Sequence, residues 1–249
     1  MRNFITIAKC EWEMQIKNLG FWLILALGLV IGGLDTFPTA GNMVRLDSQL
    51  FDSGYVAARL LQTVVVLMMF GFVFISADRI GRDKKLGVSE LYMALPLKKG
   101  QYIAGKFIAN LCVALFFTAI FYVINAVIHF AFNPSAFNAL PYFIVFVTVV
   151  IPIAVFTIGC SISLPVLTDI RLVYVLMSGF FFVNIAIVPD SRKIPFYLFA
   201  GEPLKLINPY LGFGERSYAL MACNWLFMLG MGLLALVLLL CGRRYWRER

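Results

Sequence analysis

The sequence predicts an all-α integral membrane protein of six spans, and three observations carry that prediction. Of the 249 residues, 61% are hydrophobic and only 14% are charged, with a mean hydropathy of +0.88. That balance excludes an ordinary soluble domain. The apolar residues fall into six long runs that do not alternate with polar positions. Hydrocarbon offers backbone N–H and C=O groups no water, so a span is either a helix of roughly 20 apolar residues or part of a closed barrel. Unbroken apolar runs select helices. Finally, lysine and arginine flank the runs and form no domain of their own.

Residues 1–18 precede the first run. Phe4, Ala8, Trp12, Ile16 and Leu19 recur at helical spacing, while Arg2, Lys9, Glu13 and Lys17 lie on other faces. The pattern predicts a short amphipathic helix at the cytoplasmic interface with Trp12 at headgroup depth. An ordinary cytoplasmic helix packed on protein is the other reading. The predicted spans are Leu19 to Phe37, Tyr55 to Ala77, Tyr102 to Phe132, Ala139 to Val166, Leu172 to Val188, and Tyr218 to Cys241. The first run is too long for the apolar core of a cleaved signal, and the Pro38-Thr39-Ala40 that follows makes a poor cleavage site. Pro152 within the fourth run removes a helix hydrogen bond and predicts a kink. No internal repeat is visible, which gives an inverted-repeat carrier no support.

Charge placement orients the spans. The loop of residues 78–100 carries Arg79, Arg82, Lys84, Lys85, Lys98 and Lys99, and the tail carries Arg243, Arg244, Arg247 and Arg249. Both are expected to be cytoplasmic, with both termini inside. Within that loop, residues 88–95 are good helix formers between Gly87 and Pro96, with Val88, Leu91 and Leu95 on one face and Glu90 and Met93 on others. They predict a cytoplasmic helix of about two turns, too short to span. Residues 189–217 fall outside despite Arg192, Lys193, Lys205 and Arg216. Their apolar clusters, Phe196 to Ala200 and Leu204 to Ile207, fit either re-entrant turns or a surface loop. The net charge of +8 is explained by positive-inside topology and anionic lipid, and no nucleic-acid partner is expected. Cys10, Cys112, Cys160, Cys223 and Cys241 are scattered, which indicates neither a disulfide framework nor a metal site.

Enzyme chemistry is scarce. The stretch "GQYIAGKF" from Gly100 to Phe107 follows the phosphate-loop pattern up to its last position, but Phe107 holds no magnesium and a membrane helix follows where a soluble sheet is needed. Lys106 reads instead as an interfacial anchor reaching cytoplasmic headgroups. His129 is the only histidine, so neither a histidine triad nor a multi-histidine metal site can be assembled, and no acid-base cluster suggests a lipid-modifying enzyme. Asp35, Arg59 and His129 sit near the predicted outer ends, within reach of water or headgroups. No carboxylate lies at mid-depth, which disfavours an ion-driven carrier. Spans two and five carry Met68, Met69, Phe70, Phe72 and Phe74, and Met177, Phe180, Phe181 and Phe182. Helix packing and lipid contact explain such residues. The sharper reading is a path for an amphiphilic substrate lined by Arg59, Gln62, Met68, Met69, Met177, Phe180 and Phe181.

Gly87-Val88-Ser89-Glu90-Leu91 followed by Pro96, and then Gly105-Lys106 opening a long apolar helix, resemble the cytoplasmic loop of the type-two, exporter-class ABC transporter permeases. Val88 stands where that family often has threonine, and Asp78, Arg79, Arg82 and Asp83 form an unusual run before the glycine. The resemblance implies a single permease domain over residues 1–249, with an interfacial helix at 1–18, a coupling loop at 78–100 and an external loop at 189–217. It further implies that Gly87, Val88, Glu90, Leu91, Met93 and Leu95, with Arg82 and Lys84 beside them, dock into an ABC ATPase subunit. Two such ATPase subunits, holding ATP and magnesium that this chain does not bind itself, would work beneath this permease and a second copy or a related permease. The implied activity is export of an amphiphile across the bacterial cytoplasmic membrane, for instance an antimicrobial peptide, an antibiotic or a lipid. A non-transporting membrane scaffold or signalling protein is the alternative.

Overall fold

The computed structural model describes residues 2–46, 51–77, 79–85, 99–186 and 218–241. Among the described residues there are helices and short connections but no strand. Helix α1 (Arg2–Ile16) leads into the first span α2 (Leu19–Thr36) and a short α3 (Ala40–Leu46). The second span joins α4 (Ser53–Val66), a π-helical turn (Leu67–Phe72) and α5 (Val73–Ser76), with α6 (Arg79–Lys85) after it. The third is α7 (Lys99–Phe132). The fourth joins α8 (Leu140–Val145), a π-helical turn (Phe146–Val150) and α9 (Ile151–Leu167), and α10 (Ile170–Ala186) and α11 (Tyr218–Cys241) follow.

Among the described residues, five helical segments are long and apolar enough to cross a membrane: Leu19–Thr36, Ser53–Asp83, Lys99–Phe132, Leu140–Leu167 and Ala222–Cys241. The 17 residues of α10 extend about 26 Å at the α-helical rise, short of a hydrocarbon core of roughly 30 Å. The predicted fifth span runs on to Val188, and residues 187–217, with the predicted external loop, lie outside the described residues.

Short polar side chains start these helices. Asn18, Asp52, Asn138 and Asp169 each accept a hydrogen bond from the backbone N–H two residues on, at Gly20, Gly54, Leu140 and Arg171, over 2.8 to 3.0 Å. Each side chain supplies an acceptor to an N–H that the first turn leaves without one, as the N-cap in α2 and α4 and from one residue before the N-cap at Asn138. At the far end of α2, Asn42 Nδ2 donates to the carbonyls of Leu34 and Phe37, both at 2.8 Å. Inside the spans, Thr118, Thr148 and Thr157 donate their hydroxyls to the carbonyl four residues back. A hydroxyl with no water satisfies itself on its own helix.

Hydropathy alone does not say which side of an apolar helix faces protein. In α2 the inward face carries Phe21 and Leu25 and then the small Gly28 and Gly32, while Leu19, Leu23, Leu27, Val30 and Leu34 point outward. Lipid solvates leucine as well as protein does, so close packing of small residues selects the inward face. The extreme case is α9, where every residue from Pro152 to Ser163 is buried. This helix is the axis of the bundle and touches spans two and three as well as α10 and α11.

Two devices let α11 press against that axis. A Cβ placed on Gly159 would sit 2.6 Å from the Gly232 carbonyl oxygen, and one on Gly232 would sit 2.6 Å from that of Val155. The two backbones therefore touch, and only glycine fits at the crossing. Farther along, Trp225 Nε1 donates to the Thr148 carbonyl. Pro152, four residues after Thr148, has no N–H to offer that carbonyl. The expected disturbance at Pro152 is thus taken up by the π-helical turn just before it and by an indole borrowed from another helix.

Gly159→Leu or Gly232→Leu is expected to cost on the order of 1–3 kcal/mol through overpacking, read as a lower Tm in detergent. Gly230→Ala, where a Cβ meets nothing within 4 Å among the described residues, should leave Tm unchanged or slightly raised.

Candidate functional site

The predicted coupling residues Gly87, Val88, Glu90, Leu91, Met93 and Leu95 lie outside the described residues. Both flanks of that segment are described. On the first flank, α6 carries an exposed Arg82 and also Lys84. On the second, α7 begins at Lys99, whose Nζ donates to the Leu240 carbonyl of α11 at 2.8 Å. The start of α7 and the end of α11 therefore meet at one end of the bundle.

At that end a charge cluster is buried. Lys106 is 3% exposed, and its Nζ lies 2.6 Å from Asp83 Oδ2 of α6 and 3.1 Å from Glu11 Oε2 of α1. Tyr102 donates its hydroxyl to Asp83 at 2.7 Å, and Arg79 Nη1 stands 4.0 Å from Glu11. A second ring of hydrogen bonds closes behind the first. Gln15 Nε2 donates to Glu11 Oε1 at 3.1 Å and to Asn110 Oδ1 at 2.6 Å, and Asn110 Nδ2 donates to the Lys106 carbonyl at 2.7 Å. Two cations and two carboxylates balance, which is what allows the burial of charge at all.

This geometry overturns two expectations. Lys106 is no interfacial anchor, because its ammonium is enclosed by protein and cannot reach a headgroup. Of the face predicted for helix α1, Ala8, Trp12 and Ile16 do not form its main seam. Its fully buried stripe is Ile7, Glu11 and Gln15, with Ala8, Trp12 and Ile16 half-buried beside it. The physical reason is that α7, at 34 residues, extends about 51 Å, well beyond a hydrocarbon thickness, and α1 lies along its overhang. The contacts Glu11 with Lys106, Gln15 with Asn110, Trp22 with Phe117 and Phe37 with Phe132 share one sequence offset of 95. So α1 and α2 run beside α7 in the same direction. The sequence did hold a signal for this: polar residues spaced four apart on both partners, Glu11 and Gln15 against Lys106 and Asn110.

The candidate path residues do not form one surface. Met68 (0% exposed), Met177 (4%) and Phe181 (5%) are packed inside the chain, with Phe181 meeting Phe70 at 4.8 Å between ring centres. Phe180 is half-buried against Phe156 and Phe227, and the side chain of Met69 is outside the described residues. Gln62 is exposed, and Arg59 is half-buried one turn away on the same face. Arg59 spans two helices, with Nη2 donating to Asp35 of α2 at 2.8 Å and Nη1 to the Tyr55 hydroxyl at 3.1 Å. His129, expected to reach water or headgroups, is buried at 8% exposure with Nδ1 at 2.8 Å from the Tyr142 hydroxyl. No group of three or more metal-ligating side chains occurs among the described residues.

Residues 5–190 match the family model described as ABC-2 family transporter protein. The chain belongs to the ABC-2 transporter family. The match takes in α1 to α10 and both flanks of the predicted coupling segment. It makes the chain a multi-pass membrane permease subunit, of a family that lacks an ATPase site and implies ABC ATPase partners. Comparison with individual curated proteins and with solved structures gives no match. The ABC-2 match stops before α11, yet α11 is seated on the axis helix of this permease through Gly159 and Gly232.

Lys106→Met would remove the cation shared by Asp83 and Glu11 and leave Glu11 only the more distant Arg79, and the loss should be on the order of 3–5 kcal/mol. Thermal unfolding of the purified permease in detergent should show it, with Lys106→Arg retaining most of the stability.

Proposed function

We propose that the chain is the permease subunit of an ATP-driven exporter that moves an amphiphilic molecule out of the cytoplasm or the inner leaflet. The observation that carries this is the ABC-2 match over residues 5–190, which spans the coupling segment. In this reading six spans place both termini in the cytoplasm, and two ATPase subunits dock beneath two permease copies. Each ATPase holds ATP with magnesium and receives the segment around Glu90 and Leu91. Its apolar face would be buried while Glu90, Arg82 and Lys84 orient it. ATP-driven closure moves the spans as rigid bodies, so the energy comes from the partner.

The exposed amide of Gln62 supports the second permease copy. An uncovered amide on a span facing lipid is costly, so such a group is expected to face protein or a wet cavity. Arg59 on the same face adds a half-buried cation beside it. The apolar character of spans two and five suits an amphiphile such as a peptide, an antibiotic or a lipid. Met68, Met177 and Phe181 would reach a substrate only when the spans separate.

Two measurements test the reading. A tagged chain taken from its native membrane in mild detergent should bring down an ATPase subunit of about one nucleotide-binding domain; a permease that copurifies with none supports the scaffold alternative. Replacing Glu90 and Leu91 together by alanine should abolish transport and uncouple or detach the ATPase while membrane insertion persists. Wild-type transport by that variant would sink the coupling assignment.

A further inference from the structure

We propose that Lys106 is a positioning residue that makes the N-terminal helix α1 part of the moving body, delivering displacement of the 86–98 segment to α1 and the third span together. The inference rests on the coupling role given to that segment above. Asp83 stands three positions before the segment and Lys106 eight positions after it. Lys106 bonds Asp83 and Glu11 at once, so one ammonium closes the root of the loop and fastens it to α1.

The character of the α1 contact argues for transmission over simple adhesion. Among the described side chains of α1 three are fully buried, and two of them, Glu11 and Gln15, are polar and engaged on α7. An apolar seam permits sliding, because one greasy contact replaces another at little cost. An ion cluster enclosed by protein has a register, since any slip leaves a carboxylate or an ammonium without its partner. The ring through Glu11, Gln15, Asn110 and the Lys106 carbonyl ties the same register to the α7 backbone. Arg79, 4.0 Å from Glu11, adds a second link from α6 to α1. Force reaching α6 or the start of α7 therefore meets α1 through short charged bonds.

The experiment uses the full permease with its copurified ATPase in lipid. It reads hydrogen exchange at residues 2–16 and 86–98 with and without a non-hydrolysable ATP analogue. In the wild type and in Lys106→Arg, nucleotide should change exchange in both segments. In Lys106→Met the change at 86–98 should persist and the change at 2–16 should be lost. Should Lys106→Met fail to assemble, Glu11→Gln, which spares the bond between Lys106 and Asp83, should show the same loss at 2–16. A merely structural role would alter the baseline exchange and leave the nucleotide-dependent difference in place. A full response at 2–16 in either variant overturns the proposal. A wild type that responds at 86–98 but not at 2–16 overturns the proposal and spares the coupling reading. A wild type that responds at neither segment overturns both.

Discussion

An ammonium enclosed by protein must have its counter-charges delivered to it, and at Lys106 the delivery comes from two other helices. Asp83 arrives from α6 and Glu11 from α1. Neither carboxylate is a sequence neighbour of Lys106, so the burial of that one cation fixes how three segments meet at one end of the bundle. Because charges cannot be left unpaired in such a place, this contact has fewer alternatives than any apolar one around it. The contact joins α6 and α1 to the start of α7.

The same constraint, that polar groups away from water must be satisfied by protein, governs the rest of the bundle in weaker forms. Threonines bond their own helix, and asparagine and aspartate cap the starts of helices. The carbonyl that Pro152 cannot serve takes its hydrogen bond from Trp225. At the opposite end Arg59 and Asp35 pair between the first two spans, and His129 meets Tyr142 between the third and fourth. Apolar packing contributes most of the contact area. It does not choose partners by itself, since lipid competes for the same surfaces; close approach of small residues, as at Gly159 and Gly232, does.

For a transporter of the ABC-2 family this arrangement separates two kinds of surface. The end holding Lys106 is charged and internally paired. The face of span two that presents Gln62 and Arg59 is polar and incompletely covered, which suits a region expected to meet another permease or a substrate. Helix α9, buried from Pro152 to Ser163, packs against spans two and three and against α10 and α11.

Composition and run length determined the helical membrane class, the approximate spans and the location of the charged segments, because hydrocarbon permits only one way to satisfy a long apolar backbone. The motif-like residues from Gly87 to Lys106 also pointed to the family. What they could not reveal was the partner of each polar side chain. Lys106 looked like a surface anchor because a lysine at the start of a span usually is one. Glu11 and Gln15 stood outside the apolar repeat read for the N-terminal helix and carried no assignment, and His129 looked as if it reached water. Each of those readings depends on what stands opposite, at a separation of 13 to 95 positions along the chain. Only the tertiary structure decides that, since burial turns an isolated charge from free to costly and makes its pairing a property of the whole bundle.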